Sequence, residues 1–379
     1  MRILAFSDVP PYVIGGAEMQ TWRLATSWVS MGHSVVIAGH RIPEKSEAGV
    51  RLIRLPVFYR GGKLLRGATY FFSLSCYLIK NRNDYDLLYC RFLGEAAISI
   101  ALLKSMKLIK LPLVAVPAAA GDEDKADMAF LRSLPASRAI VGILNRQCDC
   151  INFIAPGIRE SLAAIGVQPC RAASIPNGVP IPVLRASGPI SRVKKILFVG
   201  RLVYQKGLDT LLTVLARLMN TGPDFELKLI GDGPERSRLE YMAEKMGLKQ
   251  QVHFLGKQPQ SIVQKELIDA HLFVLPSRYE GLSNAVLEAL SFGLPCLVTR
   301  CNGIDRYLSN DNGWVCDQGS VDQIYLALLE ALSLTIERWK AMSDSNHLLM
   351  ASTFAIDMVA QQNMQLFEEV IERSSLGVL

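Results

Sequence analysis

The 379-residue chain contains no Cys-x-x-Cys pair, and its eight cysteines lie scattered, mostly in apolar runs. Cys148 and Cys150 have no His or Cys partner at metal-binding spacing, so a structural zinc site is excluded. Buried reduced thiols are the expected state, which points to the cytosol. No Gly-x-Gly-x-x-Gly follows a strand with an acid about 20 residues on, because neither Gly200 nor Gly231 begins that pattern; a nicotinamide-dependent enzyme is therefore a weak rival. Zinc-finger and basic-zipper signatures are absent, so nothing marks a nucleic-acid partner. There are no repeats and no low-complexity tract. Met1–Ser7 reads as a strand entering a loop, not as a signal peptide. Leu24–His40 carries no Lys, Arg, Asp or Glu, but its Ser, Gly and His residues argue against a spanning helix.

What remains is a folded α/β protein. Half of the residues are hydrophobic and a fifth are charged, and the length suits about two domains. Acid is scarce in the first half: residues 1–190 hold 22 Lys and Arg against 13 Asp and Glu, a balance of +9, whereas the rest of the chain stands at −3. A basic half suggests an anionic partner, either a membrane surface or a phosphorylated acceptor.

Short apolar runs at Ile3–Phe6, Val35–Ala38, Leu87–Tyr89, Leu113–Val116 and Ile151–Ile154 read as strands. Helical patterns at Glu18–Met31, Arg66–Lys80 and Ala96–Lys107 alternate with them. The second half repeats the scheme with strands at Ile196–Val199, Leu227–Ile230, His253–Leu255, Leu272–Leu275 and Cys296–Val298. Such alternation predicts two doubly wound, Rossmann-like domains facing each other across a cleft. The Pro- and Gly-rich stretch 175–193 joins them. The expected boundaries are residues 1–187, with the last helix (356–379) packing back on this domain, and residues 188–355.

The densest signal is Pro276–Pro295, PSRYEGLSNAVLEALSFGLP. An apolar strand ends there in a tight loop that opens onto a helix, whose unpaired amides and dipole favour an anion. Glu280 and Glu288 flank this anion site. Carboxylates in such a place suit a ligand with hydroxyls as well as phosphate: a nucleotide or a sugar phosphate. A solvated helix face explains Glu288 equally well at this level, because Val286, Leu287, Ala289 and Leu290 share the opposite side. Three further loops carry candidates. Gly15-Gly16 opens a helix after the first strand, as a plain turn also would. Arg201 and Lys206 follow the first strand of the second half, where two cations can neutralise a diphosphate or merely keep a loop soluble. Gly231-Asp232-Gly233-Pro234 is a tight turn that could lie along a nucleotide.

FVGRLVYQKG, LIGDGPE, PSRYEGLSNAVLEALSFGLP, IPNGV and the Gly15-Gly16 loop, in this order and spacing, resemble the retaining two-domain (GT-B) glycosyltransferases of the glycogen-synthase-like group over nearly the whole chain. The resemblance implies transfer of a hexose from a nucleotide-diphosphate sugar to a sugar or lipid-linked acceptor, without metal or other cofactor. Arg201 and Lys206 would hold the diphosphate. Glu280 would face the donor sugar and Glu288 the ribose. Gly281, Leu282, Ser283 and Asn284 would contact phosphate and sugar, Gly256 would lie near the base, and Gly16 beside Gly15 would approach the diphosphate. It also implies a UDP-sugar before GDP-mannose, a saccharide or polyprenyl-diphosphate-linked acceptor, a role in bacterial surface polysaccharide synthesis, and a cytoplasmic protein at the inner face of the plasma membrane. Retention of Arg201, Lys206, Glu280 and Glu288 together speaks against the alternative of an inactive scaffold.

One departure stands out. Many relatives carry a His after the fourth strand of the first domain, where this chain reads Val114-Ala115-Val116-Pro117-Ala118-Ala119-Ala120-Gly121-Asp122. Gly121 and Asp127 resemble the Gly…Asp pattern of a subset, which makes Asp127 the candidate substitute. Asp122-Glu123-Asp124 matches the metal-holding D-x-D pattern of the single-domain glycosyltransferases, but in the wrong architecture. His33, His40, His253 and His271 read as structural. Lys63–Lys80 mixes cations with an apolar, aromatic face, which suits either an anionic membrane or a core-facing helix.

Overall fold

The computed structural model describes residues 1–13, 15–60, 62–118, 127–188 and 192–376. Two compact units emerge: Met1–Gly178 together with Ile356–Leu379, and Val179–Ala355. Gly121, Asp122, Glu123 and Asp124 lie outside the described residues.

The first unit holds strands β1 (Arg2–Phe6), β2 (Ser34–Gly39), β3 (Lys45–Glu47), β4 (Val50–Arg54), β5 (Leu87–Arg91), β6 (Leu113–Val116), β7 (Cys150–Asn152) and β8 (Ala172–Ala173). They lie in the order β3-β4-β2-β1-β5-β6-β7-β8. Every pairing is parallel except β3 against β4. The apolar runs are central strands because both faces of a parallel sheet are covered; β5, for example, is buried along its whole length. Neither β3 nor β4 was legible as an apolar run, since β4 alternates Arg51 and Arg54 with Leu52 and Ile53.

Trp28 centres this unit's core. It comes from helix Gly16–Ser30 and meets Tyr89 and Phe367 edge-on, each at 5.3 Å between centroids. All three rings are fully buried. Phe367 belongs to helix Ile356–Ser375, which is fastened further by Ser27 Oγ donating to Asp357 at 3.1 Å and by an ion pair from Arg171 to Glu369.

The second unit is an all-parallel sheet of β9 (Lys194–Val199), β10 (Phe225–Ile230), β11 (Val252–Gly256), β12 (Leu272–Leu275), β13 (Cys296–Thr299) and β14 (Gly313–Cys316). The order is β11-β10-β9-β12-β13-β14, so the chain grows one way from β9 and then returns to grow the other way from β12. Loops leaving the carboxyl ends of β9 and β12 diverge at this switch point, the place where such sheets take ligands. Helix Asn284–Ser291 follows β12 and is stopped at Phe292 and Gly293, whose φ of +79° suits glycine.

Candidate functional site

The switch point brings two of the expected residues into contact. Lys206 closes a short 3-10 turn (Tyr204–Lys206) after β9, and its Nζ pairs with a carboxylate oxygen of Glu280 in the loop after β12. The side chains are 12 % and 16 % exposed. Ser277 Oγ donates to the same Glu280 oxygen at 3.3 Å. Arg201 stands on the β9 loop too, exposed and without an ion pair among the described residues.

A second set of bonds makes the two loops one object. The Arg278 amide donates to the Gln205 carbonyl at 2.8 Å, and Gln205 Nε2 donates back to the Tyr279 carbonyl at 2.9 Å. The Arg278 guanidinium donates to the Tyr204 carbonyl at 2.7 Å and to both Asp209 oxygens at 2.9 and 3.0 Å. It also stacks 4.0 Å above the Tyr204 ring. Burial by itself would raise the Asp209 carboxyl, but hydrogen bonds from Arg278 and the Thr210 amide hold it below its usual value. Gly207, at φ +62°, sits so close to the Pro276 carbonyl that a Cβ would lie 2.1 Å from that oxygen. The fit between the loops therefore requires glycine.

Beneath Glu280, Ser277 is fully buried, and its carbonyl accepts from the Thr299 hydroxyl and, at 3.5 Å, from the Cys301 thiol. Burial pushes that thiol up to about 11, so it stays protonated at neutral pH. The residual cavity here, lined by Glu280, Gly281, Cys301 and Asp305 among others, measures only about 10 Å³. The floor of the site is closed-packed.

The other expected residues fall as follows. Gly281, Leu282 and Ser283 are buried along the loop, and Ser283 is the N-cap of helix Asn284–Ser291 in an extended conformation without a side-chain capping bond. The first amides of that helix are left to another partner. Glu288 lies half-buried on the same helix and is engaged in an interaction, as is Asn284. Gly256 ends β11 at φ +67°, and its carbonyl accepts from the Gly231 amide at 2.8 Å.

In the first unit, Gly15 is the extended N-cap of helix Gly16–Ser30. Asp127 is buried, with one oxygen accepting from the Leu93 amide at 2.6 Å and the other from the Ala118 amide at 2.9 Å. It joins the loops that follow β5 and β6. His271 is buried and accepts from the Lys195 amide at 2.9 Å; burial first, then Lys194 and Lys195, push it down to about 4. Among the described residues no group of three or more His, Cys, Asp or Glu converges as metal ligands. Sequence reasoning missed Arg278, Gln205, Asp209 and Ser277. Arg278 lies inside the densest motif, but its partners lie on another loop and only the sheet order brings them near.

Residues 182–346 match the family described as glycosyl transferases group 1, and residues 14–181 match glycosyltransferase family 4. A phosphatidylinositol N-acetylglucosaminyltransferase of Arabidopsis thaliana is 25 % identical over 390 aligned residues, spanning 100 % of this chain and 84 % of that protein. Among solved structures, the sucrose-phosphate synthase of Thermosynechococcus elongatus superposes with a TM-score of 0.82 at 16 % identity, covering 98 % of this chain and 100 % of that one. HepE of Anabaena, solved with UDP-glucose, gives a TM-score of 0.76 at 17 % identity, covering 97 % and 100 %. The fold is the GT-B fold that these structures share.

Proposed function

We propose that this chain, which belongs to the glycosyl transferases of group 1, moves a hexose from a nucleotide-diphosphate sugar to a saccharide or lipid-linked acceptor with retention at the anomeric carbon. The observation that carries the reading is the contact of Lys206 with Glu280 at the switch point, with Arg201 on the same loop and without an ion pair among the described residues.

Departure of a nucleoside diphosphate builds negative charge on its phosphates. Cations fixed at that place, together with the uncapped turn at Ser283–Asn284, stabilise the departing group more than the bound donor, which is what accelerates a reaction. Arg201 and Lys206 supply those cations. Glu280 accepts from the hydroxyls of the transferred sugar, and Glu288 from those of the ribose. The bond from the anomeric carbon to the diphosphate oxygen breaks, and the acceptor oxygen bonds to that carbon on the same face. The acceptor's proton passes to the leaving phosphate, so no protein nucleophile enters.

A UDP-sugar is the favoured donor, in keeping with the UDP-glucose found in HepE and the N-acetylglucosaminyl transfer named for the Arabidopsis relative. GDP-mannose is the alternative. The phosphatidylinositol named for the same relative, and the lipopolysaccharide core enzyme LpsE of Rhizobium meliloti, support a lipid-borne acceptor and surface glycan synthesis. No helix among the described residues is long and apolar enough to cross a membrane, so contact with an anionic bilayer would be peripheral.

A thermal-shift screen over UDP-glucose, UDP-galactose, UDP-N-acetylglucosamine and GDP-mannose tests the reading. The cognate donor at a hundredfold excess over its Kd should raise the midpoint by about 5–10 °C. The anomer formed by slow donor hydrolysis, read by NMR, should retain the donor's configuration. An inverted product, or no shift with any nucleotide-sugar, contradicts it.

A further inference from the structure

Helix Gly62–Lys80 carries no charged residue from Gly67 to Ile79. Tyr70, Leu74 and Leu78 recur at every fourth residue and are buried against the first unit. A surface helix normally hides one such stripe and turns charge to water. This one instead shows a second apolar stripe: Leu65, Phe72 and Ile79, seven residues apart, are 44 %, 70 % and 40 % exposed.

Beside that second face lies the largest cavity described in the molecule, about 1170 Å³. It exceeds the roughly 300–1,000 Å³ usual for small-ligand pockets. Its sheet side is β4 and the segment that continues it. There β3 pairs only as far as Leu52, leaving the edge from Ile53 onward without a strand beside it among the described residues. Buried Leu52 and Leu55 and half-exposed Phe58 line this side, and Phe72 and Cys76 line the helix side. The Phe58 amide donates to Thr69 Oγ1 at 3.1 Å, tying the two sides together.

The charges at the rim are not those of a second protein surface of the same kind. Arg51 and Arg54 line the groove, are exposed, and have no ion pair among the described residues. Lys45 is paired with Glu47 at 2.5 Å, and Glu44 is the lone acid in the lining. A two-fold contact between copies would bring these arginines toward their own counterparts, because such a contact uses one patch twice. An apolar trough with these two cations at its rim instead complements a molecule with a long hydrocarbon chain and a phosphate.

We propose that the groove between β4 and helix Gly62–Lys80 binds the hydrocarbon chain of an anionic lipid, with Arg51 and Arg54 meeting its phosphate. The site deepens the lipid-borne acceptor reading above, on which the lipid's role as substrate rests. Chain binding itself stands on the groove.

Calorimetric titration of the full chain with lysophosphatidic acid, held below its micelle concentration, tests it against lysophosphatidylcholine and inorganic phosphate. The anionic lipid should bind more tightly than the zwitterionic one, and phosphate alone should not displace it. Phe72→Ser should weaken binding about tenfold or more. Arg51→Ser and Arg54→Ser should each weaken it about fivefold and erase the preference for the anionic headgroup. Ser73→Trp is the sharpest variant, since it adds apolar surface while filling the groove. It should weaken binding, whereas simple adsorption to an apolar surface would hold or strengthen. Unchanged affinity in Phe72→Ser or Ser73→Trp overturns the proposal. So does a dimer, seen by sedimentation, that disperses in Phe72→Ser. Phe72 is exposed, so its replacement leaves the fold intact, and thermal midpoints check the others. Lys206→Ala should keep lipid binding. Intact donor binding beside failed lipid binding would remove the groove alone, and the converse would remove the donor assignment alone.

Discussion

Each unit has a switch point, and the two use their charges in opposite ways. In the first unit the carboxylates turn inward onto backbone. Asp8, after β1, accepts from the His40 and Arg41 amides at 3.0 and 2.9 Å, and Asp127 accepts from the Leu93 and Ala118 amides. In the second unit the charges face one another across the loops: Lys206 meets Glu280, Arg278 meets Asp209, and Arg201 has no ion pair among the described residues. The same topology thus yields a fastened edge in one case and an array of side-chain charge in the other. Carboxylates held by amides give shape, while a part-exposed cation beside an acid can exchange its partner for a ligand.

The largest test of this contrast is Lys206→Ala. Removing one fixed cation from a developing anion should lower kcat about 10²–10³-fold, read in a transfer assay with the cognate donor. A loss under threefold would make the second switch point as structural as the first. Arg278→Ala comes next. It touches only loop and Asp209, so it should act by letting the Lys206 turn drift from Glu280, lowering kcat about 10–100-fold with a smaller change in KM. Arg278→Lys keeps the charge but not the two-pronged geometry and should recover part of the loss. Equal rates in both variants and wild type would dismiss the clamp.

Asp127→Ala sharpens the contrast from the other side. Leaving two buried amides without an acceptor should cost about 1–3 kcal/mol of stability, seen as a lower unfolding midpoint, with donor Kd unchanged. Loss of turnover without loss of stability would instead place Asp127 in the chemistry. The smallest effect concerns His271. Its folded value, about 4, lies below the unfolded one, so the unfolded chain binds the extra proton and stability falls as pH drops from 6.5 toward 4. Between pH 7.5 and 5.5 the loss should be about 1 kcal/mol, and His271→Asn, which keeps an acceptor for the Lys195 amide, should flatten it in a pH series of denaturant melts.

Central strands were the most legible part of the chain, because burial on both faces writes them as apolar runs; Leu113–Val116 and Leu272–Leu275 stand at the bounds read from sequence. The edge was not legible. β4 shows Arg51 and Arg54, and only its pairing with β2 and β3 makes it a strand. Helix Lys63–Lys80 was readable as either core-facing or membrane-facing, and the structure gives it one buried and one exposed apolar stripe. At the candidate site, motif order brought out Lys206 and Glu280 but could not bring out their contact, which depends on β12 lying beside β9. Arg278 was hidden for the same reason, since its partners Tyr204 and Asp209 are about 70 residues away in sequence and one strand away in space.

Calorimetric titration of UDP into the wild-type chain and into Lys206→Ala and Arg201→Ala measures the diphosphate contact without acceptor or turnover. Charge-assisted contacts of about 1.5–3 kcal/mol predict that each substitution weakens UDP about 10–100-fold. Equal Kd values for all three proteins would contradict a diphosphate bound at the β9–β12 switch point.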